Sequence, residues 1–317
     1  MSDREIRTAA VIGAGVMGVG IVQTFASASI AVRMIARDQQ RLEASLASVE
    51  ANLKLFEEFG LLSEAPADIL ARVTIIPATD MLEATTGCDY VVETIPEVLD
   101  TKKAIFAQLD NLPADVIIAS NTSSFTMDTL TEGMKTPQRM VGLHYFNPAH
   151  IIPAVEIHKG KNTDDAVVAQ TKALMIKTDK KPVIVQKTVP GFIINRLTGA
   201  MEREIDYLID EGIVTPEDLD IAVKASYGFR LSCMGPMAQE DMIGLDTSAR
   251  VSGNVFKVLS SKTEPSPVLL AKVEKGELGI KSGKGWYDYS GQTRDEVNDK
   301  INRRLLKQLA LFRSVEG

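Results

Sequence analysis

Short apolar runs alternate with longer helical patterns through the first half of the chain. The apolar runs, which we predict to be strands, read TAAVIG, AVRMIA, VTIIP, YVVETI, VIIAS, MVGLHYF, AVEIH and PVIVQ, at residues 8–13, 31–36, 73–77, 90–95, 116–120, 140–146, 154–158 and 182–186. Runs of this length between helical segments are typical of parallel strands joined by crossover helices. The pattern therefore predicts an α/β fold with a doubly wound, mostly parallel sheet.

One connection in this pattern is too long to be a plain crossover. It is the segment RLEASLASVEANLKLFEEFGLLSEAPADILAR, residues 41–72, between the second and third predicted strands. Its apolar positions recur at helical spacing. We therefore expect a helical hairpin inserted into the sheet.

Helical patterns replace the strands after Pro190, as in GFIINRLTGAMEREIDYLIDEG, PEDLDIAVKAS and PMAQEDMIGLDTSARVSGNVFKVL. We predict two domains, a nucleotide-binding domain at residues 1–188 and an all-helical domain at residues 189–317. Pro190 and Gly191 are expected to open the first long helix, because proline is tolerated in a first turn. Gly212 is expected to follow the end of that helix with a positive φ.

A glycine-rich sequence, VIGAGVMGVG, follows the first predicted strand and places Gly13, Gly15 and Gly18 in the spacing G-x-G-x-x-G. In this context Gly13 allows a tight turn, Gly15 lets the backbone approach a pyrophosphate, and Gly18 lets the helix pack closely on the strand. The helix N-terminus attracts the phosphates. A Rossmann-type dinucleotide site that includes Ala14, Val16 and Met17 is predicted, and a glycine-rich turn that binds nothing is the alternative.

The end of the second predicted strand bears on the choice of cofactor. It reads MIARD, with Ala36 at the strand end, then Arg37 and Asp38. A carboxylate here accepts hydrogen bonds from the ribose hydroxyls of NAD, whereas a small residue followed by arginine suits the 2′-phosphate of NADP. NADP is therefore one hypothesis, with Arg37 as the phosphate contact. The alternatives are that Arg37 is only solvated and that Asp38 reaches the ribose of NAD.

All three histidines lie in one stretch, LHYFNPAHIIPAVEIH at residues 143–158. His144 ends a predicted strand, and ASNTSS at residues 119–124 ends another, so both are expected to face the ligand crevice of an open α/β sheet. A histidine there suits general-base catalysis near neutral pH. Glu156, on the neighbouring run, is the candidate that orients the ring.

The other two histidines have no such support. His150 is expected in a turn, and His158 at the margin of the sheet. A zinc site is disfavoured, because the spacing H-x5-H-x7-H matches no recognised zinc pattern and Cys88 and Cys233 are far away in the sequence. We therefore expect no metal.

Charge and cysteine content exclude several classes of function. The 317 residues include 35 Lys+Arg and 42 Asp+Glu, a formal net charge of -7. Such a chain has no general attraction for nucleic acid or anionic membranes. Two cysteines make no disulfide framework, and the beginning MSDREIRTAAVIG has no apolar export segment. We expect a cytoplasmic protein that binds a small molecule and neither nucleic acid nor membrane.

Several motifs, in this order and spacing, resemble the 3-hydroxyacyl-CoA dehydrogenase superfamily. They are VIGAGVMGVGI, VVETIPE, ASNTSS, HYFNPA followed by VEI, VPGFIINR, GPMAQEDMIGLD and GIKSGKGWYDY, and they extend over nearly the whole chain. The resemblance implies a nucleotide-binding domain followed by a helical domain that usually forms a dimer contact. It also implies hydride transfer between NAD and a 3-hydroxy substrate.

The resemblance further implies roles for single residues. His144 is the implied general base, with Glu156 as its partner, and Ser123 and Asn195 are implied to hydrogen-bond the substrate oxygens. Four more positions match cofactor contacts of the family, one of which, Lys102, also lies near the substrate in some members: Glu97, Lys102, Asn147 and Lys281. The plain alternatives are a surface helix pair for Glu97 and Lys102, a polar helix position for Asn195 and a solvated charge for Lys281.

Different segments of the sequence resemble branches of the superfamily that act on different substrates. Members that act on CoA thioesters tend to carry several lysines on the inserted hairpin, where this chain has Lys54 followed by Glu57 and Glu58. The segments LKLFEEFGLL, IPEVLDTKKAIFAQLD, IIPAVEI and LIDEGIVTPEDLD resemble the lambda-crystallin and gulonate 3-dehydrogenase branch, with carnitine dehydrogenase as a neighbour. The sequence GKGWYDY instead resembles the hydroxybutyryl-CoA enzymes.

The sequence therefore predicts a dimeric oxidoreductase acting on the C3 hydroxyl or ketone of an L-3-hydroxyacyl-CoA type substrate. One alternative is a dehydrogenase of a free 3-hydroxy acid of the L-gulonate or carnitine type. Another, from a different class, is a non-catalytic nucleotide-binding protein of the lambda-crystallin kind.

Overall fold

The computed structural model describes residues 5–316, so the first four residues of the N-terminal stretch considered above lie outside it. The chain divides into two compact units, Met1–Ile193 with Leu305–Ser314, and Ile194–Arg304 with Val315–Gly317. The first unit thus ends at Ile193 rather than at residue 188, and it also takes a segment from near the C-terminus.

The first unit is built on an eight-stranded sheet in the order β3-β2-β1-β4-β5-β6-β7-β8. All neighbouring strands are parallel except β6 and β7, which are antiparallel. The mostly parallel sheet is therefore confirmed. The strands are β1 Thr8–Ile12, β2 Ala31–Ala36, β3 Val73–Pro77, β4 Tyr90–Glu93, β5 Ile117–Ser120, β6 Met140–Tyr145, β7 Ala154–His158 and β8 Lys181–Val185.

Both faces of this sheet are covered. Alternate residues of β1 enter different core clusters, Ala9 and Val11 one cluster and Ala10 and Ile12 the other. Burial on both faces explains why the strands are continuous apolar runs rather than alternating ones. The helices of the first unit are α1 Val16–Ser27, α2 Gln39–Glu58, α3 Pro66–Leu70, α4 Met81–Thr85, α5 Leu99–Leu109, α6 Met127–Leu130 and α7 Asp165–Lys177, with a 3-10 turn at Pro137–Arg139.

The predicted hairpin between β2 and β3 consists of two helices of unequal length. Helix α2 has 20 residues, and the side chain of its N-cap Asp38 accepts a hydrogen bond from the backbone of Arg41. Helix α3 has only 5 residues and begins at Pro66. The face of α2 that is buried carries Leu42, Ser45, Val49, Leu53 and Phe56.

The second unit is helical, as predicted. The first long helix begins at Ile194, so the prediction that Pro190 and Gly191 open it is wrong: Gly191 and Phe192 both have positive φ values, 78° and 48°, which an α-helix excludes. Gly212 follows the helix with φ 65°, as expected. The helices are α8 Ile194–Asp210, α9 Pro216–Ala225, α10 Tyr227–Leu231, α11 Pro236–Ile243, α12 Leu245–Val255 and α13 Pro267–Glu274, with a 3-10 turn at Ile280–Ser282.

The last helix, α14 Arg294–Glu316, contributes to the core of the first unit. Leu306 and Leu309 are buried together with Phe56 of α2 and Ile151. This apolar contact explains why the segment Leu305–Ser314 belongs to the first unit. None of the helices within residues 5–316 combines the length and apolar character that crossing a bilayer requires.

Candidate active site

The glycine loop after β1 has the backbone geometry that the sequence predicted. Gly13 has φ 125°, and a Cβ on it would overlap with Thr94. A Cβ on Gly18 would overlap with the carbonyl oxygen of Gly13, so α1 packs closely on the end of β1 only because Gly18 has no side chain. Both glycines are therefore needed for the loop itself.

Gly15 is needed for a different reason. A Cβ on Gly15 would meet only the Arg41 guanidinium, at 3.8 Å, so no protein atom requires glycine here. Gly15 lies on the wall of a cavity of about 690 Å³, together with Gly13, Ala14, Val16 and Met17. Helix α1 begins next to this cavity, and no side chain caps its N-terminus. The loop thus leaves open space for a pyrophosphate beside free helix N–H groups.

The end of β2 forms another wall of the same cavity, through Ala36, Arg37 and Asp38. One oxygen of Asp38, Oδ1, accepts the backbone N–H of Arg41 at 3.1 Å. Arg41 was not among the residues predicted from sequence. It also lines the cavity, and its Nε donates to the carbonyl oxygen of Ala14 at 3.2 Å.

His144 and Glu156 form a direct pair. They lie opposite each other in the antiparallel strands β6 and β7, and His144 Nδ1 is 2.8 Å from Glu156 Oε2. Because a carboxylate only accepts hydrogen bonds, this contact places the ring proton on Nδ1 and leaves Nε2 with a lone pair. The other carboxylate oxygen, Glu156 Oε1, accepts the backbone N–H of Ile193 at 3.0 Å.

Aromatic rings surround the imidazole of His144. The ring centroids of Phe146 and Phe192 lie 4.7 Å and 5.5 Å from it. Phe192 also stacks on His158 at 4.0 Å. The positive φ of Phe192, unusual for an aromatic residue, is thus held by contacts with two histidine rings.

His158 is not part of the His144–Glu156 pair. It is opposite Gly142 in the sheet, and a Cβ on Gly142 would overlap with the His158 ring. Neither ring nitrogen has a hydrogen-bond partner among the described residues. Burial, assisted by His144, lowers the pKa of His158 to about 4. His158 is therefore neutral and structural, at a position inside the sheet rather than at its margin.

Glu97 holds the loop that carries Ser123. Its Oε1 accepts the backbone N–H groups of Ser123 and Ser124, each at 3.0 Å, and the hydroxyl groups of Ser124 and Thr122. Burial opposes the charge of Glu97, but these hydrogen bonds and the nearby charge of Lys102 together lower its pKa. The hydroxyl-bearing side chain of Ser123 is exposed.

Lys102 is not a surface residue, and it does not line the cavity at the glycine loop. It is fully buried, and its Nζ lies 2.8 Å and 2.9 Å from the two carboxylate oxygens of Glu93. Glu97 Oε2 is 3.2 Å from the same nitrogen. Its charge is therefore shared between two carboxylates, and the cofactor contact that the resemblance implies for Lys102 stays a prediction.

Glu93 is another residue that the sequence analysis missed. It ends β4, is fully buried, and also accepts a hydrogen bond from Ser120 at 2.7 Å. A signal for it existed in the sequence. A glutamate inside the apolar run YVVETI requires a buried partner, because an unpaired charge is too costly to bury.

Three more predicted residues are exposed. Asn147 is exposed in the segment that follows β6, and Asn195 and Lys281 are exposed in the second unit. Asn121, by contrast, joins two strand ends of the site, because its Oδ1 accepts the backbone N–H of Tyr145 at 2.9 Å. Within residues 5–316, no group of three or more His, Cys, Asp or Glu side chains is arranged to hold a metal ion.

The sheet, the glycine loop and the cavity beside it define a dinucleotide-binding protein. Residues 8–189 match the NAD binding domain of 3-hydroxyacyl-CoA dehydrogenase, and residues 191–289 match the C-terminal domain of the same family. The chain therefore belongs to the 3-hydroxyacyl-CoA dehydrogenase family, and it is an oxidoreductase of that type.

Two kinds of relative are similar to this chain. The 5-formyl-3-hydroxy-2-methylpyridine 4-carboxylate 5-dehydrogenase of Mesorhizobium japonicum is 33% identical over 98% of this chain and 99% of its own length. A crystal structure of an enzyme with that activity, described as an NAD+ dependent dismutase, has a TM-score of 0.87 and covers 99% of both chains.

The other kind acts on CoA thioesters. A probable 3-hydroxybutyryl-CoA dehydrogenase of Bacillus subtilis is 35% identical over 91% of this chain and 99% of its own length. The structure of (S)-3-hydroxybutyryl-CoA dehydrogenase from Ralstonia eutropha, 34% identical, has a TM-score of 0.73 and covers 90% of this chain and 100% of that one.

Proposed function

We propose that this protein is an NAD-dependent dehydrogenase that oxidises a C–OH group with His144 as the general base. The observation that carries the proposal is the 2.8 Å contact between His144 Nδ1 and Glu156 Oε2. It fixes one nitrogen of the ring and leaves the other to accept a proton. The non-catalytic alternative gives no reason for a buried carboxylate to orient this ring.

In this proposal, different residues remove the proton, stabilise the resulting charge and hydrogen-bond the substrate oxygen. His144 Nε2 removes the proton from the substrate hydroxyl, and the negative charge of Glu156 stabilises the imidazolium that forms. Ser123 hydrogen-bonds the substrate oxygen, held in place through its backbone by Glu97. By resemblance we add Asn195 as a second hydrogen-bonding group. Bound NAD supplies the acceptor for the hydride.

The cofactor proposal rests on the cavity at the glycine loop. Gly13 and Gly18 shape the loop, and Ala14, Gly15, Val16 and Met17 line the cavity beside it. Asp38 uses only Oδ1 to cap α2, so we assign its other oxygen to the ribose hydroxyls of NAD. Asn147 and Lys281 are kept as cofactor contacts by resemblance alone.

Arg37 decides whether NADP is also accepted. If its guanidinium pairs with a 2′-phosphate, Arg37→Ala should weaken NADP binding about tenfold or more, since hydrogen bonds to charged groups contribute about 1.5–3 kcal/mol. NAD binding should change little. Titration of both cofactors into wild-type and variant protein measures this. Equal weakening of both, or of neither, would remove Arg37 as the phosphate contact.

For the substrate we propose a free hydroxy acid. The sequence analysis had put the CoA thioester first and the free acid second. The only lysine between residues 39 and 72 is Lys54, and its Nζ pairs with Glu50 at 2.6 Å. Glu57 and Glu58 follow, so α2 has no cluster of lysines for the phosphates of CoA. The Mesorhizobium relative, whose name gives a free pyridine carboxylate as substrate, also covers more of the chain than the Bacillus relative does.

The CoA thioester remains the second candidate, supported by the family and by the Bacillus and Ralstonia relatives. An inhibition experiment with CoA distinguishes the two candidate substrates. With a free hydroxy acid as substrate, added CoA should leave turnover unchanged, because no cationic patch on α2 attracts it. Competitive inhibition by CoA, together with turnover of 3-hydroxybutyryl-CoA, would overturn the free-acid proposal.

A homodimer through the second unit is also proposed. Helix α8 has no buried residue, and its Leu197 and Met201 side chains are 59% and 40% exposed. Apolar side chains on one helix face at this exposure are typical of a surface that a second copy covers. Sedimentation of the full chain tests this proposal, which a monomer of 34.5 kDa would contradict.

A further inference from the structure

A second cavity, of about 290 Å³, lies in the first unit away from the residues of the proposed reaction. Its walls come from the C-terminal half of α1, the end of α2, the loop before β7, the turn after α7, and α14. It shares no lining residue with the cavity at the glycine loop. Ser123, His144 and Glu156 do not line it either.

Buried polar atoms of this cavity lack protein partners. Gln23 is only 2% exposed, and its Oε1 makes no hydrogen bond to the described residues. The same holds for Arg313 Nε and His150 Nδ1, although other atoms of Arg313 are paired. Native structures satisfy most buried polar groups. All three atoms belong to side chains that line this cavity, so the lining holds polar groups whose hydrogen-bonding capacity the described residues do not use.

The basic side chains Lys177, Lys180 and Arg313 line the cavity together with the carboxylate of Asp179. Lys180 Nζ donates to the carbonyl oxygens of Ala149 and Ile152 at 2.7 Å and 2.8 Å. Its burial lowers the pKa of Lys180 to about 7, and the nearby charge of Arg313 acts in the same direction, while Asp179 opposes both. An anion bound next to Lys180 would favour its protonated form.

The hydrogen bonds of Arg313 limit which anion fits. Its Nη1 donates to the carbonyl oxygen of Leu61 at 3.1 Å, and its Nη2 pairs with Asp179 at 2.5 Å. Nε–H and one N–H on each of Nη1 and Nη2 remain, and the carboxylate of Asp179, which also lines the cavity, offsets part of the guanidinium charge. Next to this carboxylate, a singly charged anion is favoured over a phosphate dianion.

The rest of the wall is apolar. Phe56, Leu61, Leu62, Ile151 and Leu309 line it, so a ligand with a short hydrocarbon body would bury apolar surface there. Leu309 and Arg313 lie beyond residue 289, where the match to the family's C-terminal domain ends. The segment that closes this cavity is therefore an addition to the part of the chain that the family models describe.

We propose that this cavity is a second ligand site, for a small organic acid that presents its carboxylate to Arg313 and Lys180 and a hydroxyl group to Gln23. A hydroxyl suits Gln23 because it both donates and accepts hydrogen bonds. The site does not depend on the proposed reaction, since none of its residues takes part in that reaction.

Mandelate is a suitable probe, because it has a carboxylate, a hydroxyl and one ring. Calorimetric titration of the full chain should detect its binding, and Arg313→Gln should weaken it about tenfold, the usual loss for a hydrogen bond to a charged group. Lys307→Gln is the matched control. Lys307 is exposed on the same helix, and its replacement removes the same charge without touching the cavity.

Three results of this titration would contradict the proposed ligand site. Unchanged binding in Arg313→Gln, or equal weakening in Lys307→Gln, would show that mandelate binds elsewhere, and no binding to wild-type protein would mean that the cavity holds only solvent. Each result overturns the proposal. Turnover in the Arg313→Gln variant reports separately on the catalytic proposal.

A second variant covers the case in which Arg313→Gln does not fold. Phenylacetate has the ring and the carboxylate of mandelate but no hydroxyl. Wild-type protein should prefer mandelate over phenylacetate, and Gln23→Leu should abolish that preference while retaining phenylacetate binding. If Gln23→Leu keeps the preference, Gln23 does not recognise the hydroxyl, and the proposal fails.

Discussion

His144→Gln should lower kcat by about 100- to 10,000-fold, the usual contribution of a positioned general base, while NAD affinity stays unchanged. Glutamine fills a similar volume and can still hydrogen-bond Glu156, but it cannot accept a proton at neutral pH. His144 does not line the cavity at the glycine loop, so cofactor binding has no reason to change. Steady-state kinetics with a titration of NAD measure both quantities.

Two results would contradict this account of His144. Substantial residual turnover would show that another group takes the proton. A parallel loss of NAD affinity and of thermal stability would show that the substitution disturbs the fold instead of removing a base. Glu156→Gln provides a further check, since it keeps the shape of the pair but removes the charge that stabilises the imidazolium.

Lys102→Met should reduce the free energy of unfolding by about 3–5 kcal/mol, the usual cost of removing one partner from a buried ion pair. Lys102 and Glu93 are both fully buried. Without the ammonium group, the carboxylate of Glu93 is left in the core with only Ser120 and the backbone of Ile95 as partners. Urea unfolding of the purified protein measures the change.

The neighbouring residue offers a matched control. Lys103 pairs with Glu132 at 2.6 Å, but the Glu132 side chain is 75% exposed, and exposed pairs contribute about 0–1 kcal/mol. Lys103→Met should therefore change the free energy of unfolding little. Equal effects of the two substitutions would contradict the burial argument for Lys102.

The sequence predicted the parts of the site that depend on backbone pattern. The strand runs were correct within a few residues, because strands buried on both faces are continuous apolar segments. Gly13 and Gly18 were assigned for the reasons that the structure supports, a positive φ and a close helix contact. His144 and Glu156 lie in contact, because neighbouring strands of one sheet bring them opposite each other, while their catalytic roles stay a prediction.

The sequence could not predict contacts that depend on packing between distant segments. The resemblance implied a cofactor contact for Lys102, with a surface pair with Glu97 as the alternative, and only the fold brings Glu93 to its ammonium group. Phe192 has a positive φ that no local signal indicates. The return of Leu306 and Leu309 to the first unit depends on apolar contacts with Phe56, and it creates the cavity that Arg313 lines.

The most direct test of the central claim is whether this protein reduces NAD in the presence of a hydroxy acid. Absorbance of NADH would be followed with gulonate, carnitine and 3-hydroxybutyryl-CoA. We predict turnover of at least one free acid, which His144→Gln removes. Absence of turnover with every compound, in protein that binds NAD normally, would contradict the claim and favour a non-catalytic role.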